Sequence, residues 1–443
     1  MGKKIIVAGG GHGGIAAGAL LAQNGFDVTV YEKNKREEMG YDWTDIFDRK
    51  GLFACGMDMP PEGKYRLKND MTFFNPSSTA SIKQHVPADQ LEIQMERKDI
   101  YDLIISHAEK CGVKFVYETE VLGPVLLGGR VAGIRTKDET VYADLVIDSA
   151  GINSPIRKNL PDSLGIQKEP DKYDTFYVYR AFFNKTAPVE ENKYRVYLFF
   201  DNKPQICWVA DDEEYTDVLI GRFTPLNEED VDENLTKLRE INADLGEEKL
   251  RGGQYATIPV RQPLGLIIGD GYAAIGDSAF MTVPIIGSGI ANSLKAARLL
   301  ADAVMADKDC FFSADTLWKY QRDFYKKLGG GLAPLAVIKL MIAKFSPRDL
   351  DYFFENSILN SEDMTIGADT NSIMCFIEKL MNFNSLKLKV KGVMSDFVLS
   401  KKILGMNTRI AAVMAITKAM PVRYDRNRVR SWVEGYNKCF KVD

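Results

Sequence analysis

Two residue types that bind metals or form disulfides are scarce in this 443-residue chain, which has six cysteines and three histidines. The cysteines lie far apart and form no C-x-x-C pair. This spacing argues against a structural zinc site and a disulfide framework, and it favours a reducing, cytoplasmic setting. Long hydrophobic runs are also missing, because the longest candidate membrane segment, residues 279–294, is shorter than a bilayer span and contains a proline and two glycines. We expect no signal peptide, since the apolar run after Lys3 and Lys4 passes at once into glycines.

A large excess of either charge is absent as well, since the chain has 57 Lys and Arg and 61 Asp and Glu, and the net charge is −4. Such a balance argues against a nucleic acid as the main partner, because polyanions are bound by basic surfaces. The charges are unevenly spread: residues 381–443 carry 13 basic and 4 acidic side chains. A basic region of this kind is usually a solvated face, but contact with a membrane surface or an anionic substrate is the alternative.

What the chain does contain is typical of a soluble globular protein of two or three domains, with 45% hydrophobic and 27% charged residues. Its start has the pattern of a βαβ unit. An apolar strand, Lys4–Ala8, leads into a glycine-rich segment, a helix of small residues over Ile15–Asn24 and a second strand, Val28–Tyr31. The sequence therefore predicts a nucleotide-binding unit at this end of the chain.

Gly9, Gly11 and Gly14 satisfy the G-x-G-x-x-G fingerprint. The first glycine permits a tight turn, the second lets a pyrophosphate approach the backbone, and the third allows close packing of helix and strand. Glu32 ends the second strand, where a carboxylate accepts hydrogen bonds from a ribose 2′-OH and repels a 2′-phosphate. We therefore predict FAD or NAD rather than NADP. His12, between the glycines, is interpreted as a loop residue.

Two later elements point to the same ligand. Arg97 precedes an amphipathic helix, Lys98–Cys111, from which its guanidinium could reach a phosphate. An apolar strand, Tyr272–Ile275, ends near Asp277, and a glycine turn, Gly287–Gly289, then opens a helix that runs through Met305. An acid at the end of a strand beside a glycine-opened helix predicts a second ligand-binding element.

On these residues the chain resembles the flavoprotein superfamily of the geranylgeranyl reductases and the aromatic-ring hydroxylases, over most of residues 4–305. The resemblance implies that the fingerprint holds the ADP half of FAD, that Arg97 assists at the pyrophosphate and that Asp277 bonds the ribityl chain. The implied FAD-binding residues are Gly9, Gly11, Gly14, Glu32, Lys33, Arg97, Val121, Gly151, Asp277, Gly287, Gly289 and Ile290. One departure is Ala150, since the family usually has an acid before Gly151.

The implied fold class is α/β, with a Rossmann-like FAD-binding domain of the glutathione-reductase type, an antiparallel β-sheet substrate domain and a helical C-terminal region. We predict that residues 1–160 and 253–308 form the FAD-binding domain and that residues 161–252 form the substrate domain. Residues 40–95 are a candidate addition to the latter, and residues 309–443 form the helical region. Within this region Gly329, Gly330 and Gly331 are interpreted as a hinge.

Single positions separate the two branches of the superfamily. The hydroxylases typically read Gly-Asp-Ala-Ala-His and later carry an Asn and an acid, whereas this chain has Phe280, Ala291 and Lys295 at those places. We therefore favour a reductase that saturates a carbon–carbon double bond of a hydrophobic or aromatic small molecule. A flavin-dependent monooxygenase that hydroxylates an aromatic substrate is the alternative. A flavin- or lipid-binding protein without turnover is a third hypothesis.

Reduction of a double bond needs a hydride and a proton, so an acid must stand near the flavin. Tyr41 and Cys55 are the candidate proton donors, although a small buried hydrophobe is the favoured interpretation of Cys55. The candidate substrate residues are the strand aromatics Trp208, Tyr177, Tyr179 and Tyr197. Because no second nicotinamide fold is evident, NAD(P)H or another reduced carrier would be an external electron donor, and a homodimer is one assembly that the helical region could support.

Overall fold

The structure is a computed structural model, and it describes residues 2–68, 71–171, 173–212, 214–356, 359, 361 and 397–441. Cys375 and the first part of the predicted basic region lie outside these ranges. The helices are α1 (His12–Ala22), α2 (Lys50–Ala54), α3 (Arg97–Lys110), α4 (Pro155–Lys158), α5 (Glu228–Ile241), α6 (Ile290–Ala306), α7 (Ala314–Phe324), α8 (Gly330–Ile342), α9 (Pro347–Glu355), α10 (Phe397–Lys418) and α11 (Arg426–Lys438).

The strands are β1 (Lys4–Ala8), β2 (Asp27–Tyr31), β3 (Thr44–Phe47), β4 (Arg66–Leu67), β5 (Met71–Phe74), β6 (Ser81–Lys83), β7 (Ile93–Glu96), β8 (Lys114–Val116), β9 (Gly123–Leu127), β10 (Arg130–Arg135), β11 (Thr140–Tyr142), β12 (Leu145–Asp148), β13 (Thr175–Lys185), β14 (Tyr194–Leu198), β15 (Gln205–Asp211), β16 (Tyr215–Arg222), β17 (Leu245–Pro259), β18 (Ile268–Gly269) and β19 (Tyr272–Ala274). Together with the helices they give the α/β fold class that the resemblance implies.

A six-stranded sheet of order β18-β19-β12-β1-β2-β8 forms the nucleotide-binding end of the molecule. The central strand β1 pairs in parallel with β2 and with β12, so that Ile5 lies opposite Val28 and Leu145. These apolar strands are buried because helices pack against the sheet, as parallel sheets require. The predicted βαβ unit is confirmed, although α1 begins at His12 and therefore includes the last fingerprint glycine, Gly14.

A seven-stranded sheet of order β17-β13-β16-β15-β14-β5-β6 lies beside it, and all its pairings are antiparallel except β14 with β5. It recruits strands from 71–83 and extends to Pro259, beyond the predicted limit at residue 252. Helix α5 covers one of its faces. A small sheet of order β3-β7-β4 supplies Trp43 and Ile46 to the apolar clusters on the other face. The division of the chain into domains stays a prediction.

The helical region corrects one expectation. Gly329, Gly330 and Gly331 do not interrupt the helical structure, because a π-helical turn, Tyr325–Gly329, joins α7 directly to α8. A Cβ on Gly329 would lie 2.8 Å from the ring of Phe324, so these glycines serve a wide, tightly packed turn rather than a hinge. Among the described residues no single helix has the length and hydropathy of a membrane span, whereas the bent pair Ala314–Ile342 and Pro347–Glu355 has them by length and composition.

Candidate functional site

The glycine fingerprint joins β1 to α1 in a turn with little room for side chains. Gly9 has φ +86°, and a Cβ there would lie 2.6 Å from the Cα of Ala150. A Cβ on Gly14 would lie 2.5 Å from the Cβ of Ser149 and 2.7 Å from Val7. The reasons given for these two glycines, a tight turn and close packing of helix on strand, are therefore confirmed.

Gly11 needs its lack of a side chain for a different reason. A Cβ at this position would lie 2.4 Å from the Oγ and 2.8 Å from the carbonyl oxygen of Ser149, at the end of the neighbouring strand β12. Contact within the protein is thus enough to require glycine here. Sequence reasoning assigned the requirement to the pyrophosphate alone, because the pairing of β12 beside β1 is a tertiary contact.

Two helix N-termini converge at this turn. A Cβ on Gly13 in α1 would lie 2.9 Å from the carbonyl oxygen of Ser293 in α6, so the first turns of the two helices are in close contact. Neither N-terminus has a side-chain cap or an acidic residue in its first turn. Both therefore present unpaired N–H groups and a positive dipole end, which together favour an anionic ligand.

Glu32 lies at the opposite side of the turn, directly after β2. Its buried carboxylate accepts hydrogen bonds from the backbone N–H of Gly10 at 2.7 Å and of Asn34 at 2.9 Å. These bonds fix its orientation, and each oxygen keeps a lone pair for a further donor such as a ribose hydroxyl. Among the other predicted cofactor residues, Lys33 is exposed, Val121 is buried, and Gly151 has φ +83°.

Arg97 is held by an acid that the sequence did not pair with it. Its Nε and Nη2 donate to the two carboxylate oxygens of Asp45 in β3, at 2.5 and 2.7 Å. Burial alone would raise the pKa of Asp45, but Arg97, with smaller contributions from Arg180 and His12, holds that pKa below its usual range. Arg97 therefore sits in a bidentate pair between the fingerprint and the sheets, and its role at the pyrophosphate stays a prediction.

His12 and Tyr101 form a second feature that the sequence missed. Their rings stack at a centroid distance of 4.3 Å. Burial, and secondly the charge of Arg97, lower the pKa of His12 to about 3, so its imidazole is neutral at physiological pH. Its Nε2 is buried and has no hydrogen-bond partner within the described part of the chain. A signal for Tyr101 was available, because it lies one helical turn after Arg97 on the same face of α3.

Asp277 lies under the N-terminus of α6. Its Oδ1 accepts a hydrogen bond from the hydroxyl of Thr282 at 3.1 Å, and burial raises its pKa. A Cβ on Gly289 would lie 2.9 Å from that hydroxyl oxygen and 3.5 Å from the carboxylate, so the glycine turn closes directly over the acid. Gly287 has φ +71° and adjoins Ile258 of the seven-stranded sheet. The second predicted element thus stands between the two large sheets, with Ile290 as the first residue of α6.

The two candidate proton donors have different surroundings. The thiol of Cys55 donates to the carbonyl oxygen of Leu294 at 3.1 Å, and burial raises its pKa to about 12. It therefore joins α2 to α6 as a neutral group. Tyr41 is 38% exposed, and its ring lies 4.7 Å from that of Trp43 and 5.4 Å from the Arg97 guanidinium. Of the two, only Tyr41 adjoins the Arg97 pair with a side chain open to a ligand.

The four candidate substrate aromatics divide between the faces of the seven-stranded sheet. Tyr179 and Tyr197 belong to the apolar cluster that α5 covers, and the Tyr197 hydroxyl donates to Asn242 at 2.8 Å. Tyr177 shares their face by strand alternation. Trp208 lies on the other face, with the apolar cluster that contains Trp43. Of the four, only Trp208 is directed towards the candidate site, and all four roles stay predictions.

Arg180 organises this inner face. It donates to Asp217 at 2.9 and 2.5 Å and to the carbonyl and hydroxyl oxygens of Thr44 in β3. Its guanidinium lies 5.0 Å from the ring centroid of Trp208 and 5.8 Å from that of Trp43. The indole N–H groups of both tryptophans are buried without a partner in the described ranges. The inner face is therefore aromatic, with a fixed charge and donors that remain for a ligand.

These residues fit FAD. The glycine turn leaves no space for side chains, two uncapped helix N-termini meet there, and the buried Nε2 of His12 has no partner in the residues described. Glu32 and Asp277 stand at the two sides of this region, each with a carboxylate that can accept a hydrogen bond from a hydroxyl group; their contacts with the ribose and the ribityl chain stay predictions. A dinucleotide with a diphosphate and polyhydroxyl segments matches this arrangement of donors and acceptors.

Comparison with known proteins agrees with the geometry. Residues 7–77 match the model of the NAD(P)-binding Rossmann-like domain. The chain is 24% identical over 384 residues to the digeranylgeranylglycerophospholipid reductase of Sulfolobus acidocaldarius, which covers 83% of this chain and 84% of the relative. A geranylgeranyl bacteriochlorophyll reductase-like structure from Thermoplasma acidophilum superposes with a TM-score of 0.73 and 19% identity, over 89% of this chain and 98% of that one.

The structure of a monooxygenase is also similar. PqsL, a probable FAD-dependent monooxygenase from Pseudomonas aeruginosa, superposes with a TM-score of 0.60 and 19% identity over 80% of this chain and all of its own. Both branches thus share the fold, but the similarity to the reductases extends further in coverage and TM-score. The chain is therefore an FAD-dependent oxidoreductase that is similar in sequence and fold to the geranylgeranyl reductases, and that shares its fold with a flavin-dependent monooxygenase.

Proposed function

We propose that this enzyme saturates a carbon–carbon double bond in a hydrophobic, isoprenoid-type small molecule. The observation that carries the proposal is the aromatic inner face of the seven-stranded sheet, which stands over the Asp277 element. There Trp208 of the sheet and Trp43, which directly precedes β3, lie beside the buried Arg180. Such a face binds apolar chains by burying their surface. The relative from Sulfolobus acidocaldarius, by its name, acts on a lipid of this class.

The position that separates the branches supports a reductase. Phe280, where the hydroxylases carry a histidine, is buried between the guanidinium groups of Arg157 and Arg261, each 4.7 Å from its ring centroid. A side chain held in this way is part of the core and offers no hydrogen bond to a ligand. The residue thus has a packing role here, and nothing at this position favours hydroxylation.

Bound FAD would supply the hydride that adds to one carbon of the double bond. The chain itself would hold the cofactor with the fingerprint turn, Glu32 and Asp277, and would exclude water with the aromatic inner face. A proton must then reach the other carbon. We assign this task to Tyr41 rather than Cys55, because Cys55 donates to a helix carbonyl and its pKa is raised to about 12.

The cofactor must be re-reduced after each turnover. Within the described residues the G-x-G-x-x-G fingerprint between a strand and a helix occurs once, before α1. We therefore propose that NAD(P)H or another reduced carrier binds transiently and delivers two electrons to the flavin. The net reaction adds two hydrogens to the substrate and oxidises the donor by two electrons.

Product mass in the presence of labelled oxygen separates the two reactions. The FAD-loaded enzyme is incubated with an external reductant, 18O2 and either a geranylgeranyl lipid or an aromatic test substrate, and the products are analysed by mass spectrometry. The proposal predicts a gain of two hydrogens, equal in air and under argon. A product that gains one labelled oxygen and forms only in air would establish the monooxygenase alternative.

A further inference from the structure

Helix α10 has an outer face of unusual composition for a helix at a protein surface. Its inner residues Met406, Ile410 and Val413 are buried, and the helix packs against α8. The opposite side is exposed between Lys401 and Lys418. We call this side the outer α10 face; its exposed residues between the two lysines are Leu404, Gly405, Thr408, Ala411, Ala412 and Ala415.

None of these exposed residues is charged, although Lys401 and Lys418 are 17 positions apart, or about 25 Å at ~1.5 Å per residue. Two half-buried cations of the same segment border the face: Lys402 pairs with Asp349, and Arg409 donates to the carbonyl oxygen of Lys441. A surface helix normally carries charged and polar side chains opposite its buried stripe. Here Leu404 is 66% exposed, and most of its neighbours on the face are alanine or glycine. A helix that is apolar on both sides is favoured only when a second apolar surface covers its outer side.

The charges around the face indicate what covers it. Residues 397–441 contain ten Lys and Arg against two Asp and Glu, and α10 itself has no acidic residue. Lys401 and Lys418 are exposed at the two ends of the face, and Arg423, Arg428 and Arg430 are exposed in the segment that follows. An uncharged strip between cations matches a surface that is apolar inside and anionic outside.

We propose that the outer α10 face docks on the surface of an anionic phospholipid bilayer, with its small apolar residues against the interface and its lysines among the headgroups. A second copy of the chain is a poorer occupant. If two outer faces paired in parallel, Lys401 would meet Lys401, and if they paired antiparallel, Lys401 would meet Lys418. The inference concerns a surface remote from the fingerprint in sequence and does not depend on the proposed reaction.

Flotation of the FAD-loaded full chain with vesicles tests the proposal. We expect the wild type to float with vesicles of phosphatidylglycerol and phosphatidylcholine, to bind pure phosphatidylcholine far less, and to be released by high salt. Lys401→Glu should weaken binding at least about fivefold, since each basic residue near such a surface contributes ~1 kcal/mol. Leu404→Glu, which replaces the largest exposed apolar side chain of the face by a negative charge, should abolish it.

The matched control is Leu127→Glu, because Leu127 is also a largely exposed leucine, 55% exposed, but lies at the β9–β10 turn. This variant should float like the wild type. Unchanged FAD content and melting temperature show that each variant is folded and separate this test from that of the proposed function. The proposal is overturned if the wild type does not float, if Leu404→Glu floats unchanged, or if Leu404→Glu only dissolves a dimer.

Discussion

We predict that the choice of nucleotide depends on the side chain of Glu32. Its two hydrogen bonds to backbone N–H groups hold the carboxylate at the edge of the glycine turn. We expect Glu32→Ala to weaken FAD binding by about ten- to a hundredfold, because a hydrogen bond to a charged group contributes ~1.5–3 kcal/mol. Fluorescence titration of the apoprotein measures this. The control is Glu37→Ala, an exposed acid in the next turn, and an equal loss in both variants would contradict the role of Glu32.

Cys55 offers a test of the proton donor. Loss of a general acid typically lowers turnover by about 10²–10⁴-fold. The Cys55 thiol donates to the Leu294 carbonyl and its pKa is raised to about 12, so we expect Cys55→Ala to lower turnover by much less than this. Tyr41→Phe should lower turnover by about 10²–10⁴-fold. Steady-state rates over a range of pH provide the measurement. The assignment of Tyr41 as the proton donor is wrong if Cys55→Ala shows the large loss of turnover and Tyr41→Phe the small one.

His12 makes the stability of the apoprotein depend on pH. The pKa of His12 is about 3 in the folded chain against a usual value of 6.5. Below pH 6.5 its imidazole therefore takes up a proton in the unfolded chain but stays neutral in the folded one. Stability should therefore fall as the pH decreases from 6.5 towards 3, by at most ~1.4 kcal/mol per pH unit. Urea unfolding at several pH values should show this slope in the wild type and a shallower one in His12→Gln. Equal slopes would contradict the shifted pKa.

At the residue scale the sequence predicted the glycines and acids well but not their neighbours. Gly9 and Gly14 follow from a local fingerprint, and Glu32 follows from its distance along the chain. The pairing of Arg97 with Asp45 joins residues 52 positions apart through a strand register, and the contact of Gly11 with Ser149 crosses the sheet. Contacts of this kind depend on which strands become neighbours, and a single sequence does not state that.

The close approach of α1 and α6 is the feature of the elements that most affects the site. A Cβ on Gly13 would lie 2.9 Å from the backbone oxygen of Ser293, which cannot move without shifting α6. We expect Gly13→Ala to lower the free energy of unfolding by ~1–3 kcal/mol through overpacking and to reduce the FAD content. Chemical denaturation and absorbance of the purified variant measure the two effects.

Gly18→Ala is the matched control in the same helix. A Cβ there would meet a methyl group of Val28 at 3.1 Å, and that side chain can adjust. The better helix propensity of alanine, worth about 1 kcal/mol, should offset the contact and leave FAD binding unchanged. If Gly13→Ala and Gly18→Ala lost the same amount of stability and of FAD content, the close approach of the two helix N-termini would not be what holds the site together.

At the element scale, the sequence predicted which segments form strands and helices, but not which face of each strand is covered by another element. The alternation of β13 and β14 identifies two faces, but only the position of α5 decides that Tyr179 and Tyr197 lie on the covered one. The Gly329 segment shows the opposite failure. Three glycines are a good signal for a break, yet here close packing against Phe324 selects a continuous π-helical turn.

For the whole molecule, the central claim is that one FAD is held between the fingerprint turn and the Asp277 element, with the aromatic inner face beside it. The similarity to the reductases over most of the chain supports FAD as the ligand, and the two uncapped helix N-termini favour its diphosphate at the fingerprint turn. Glu32 and Asp277 are 245 positions apart in the sequence. They can bind the same FAD only when the whole fold is assembled, so the local fingerprint alone does not produce this site.

The most direct test measures FAD binding by the purified chain together with its two acid variants. We expect a yellow protein with one FAD per chain, and we expect Glu32→Ala and Asp277→Ala each to weaken binding while the apoprotein stays folded. A folded, colourless protein that does not quench added FAD, or one whose affinity is the same in Asp277→Ala as in the wild type, would contradict the account.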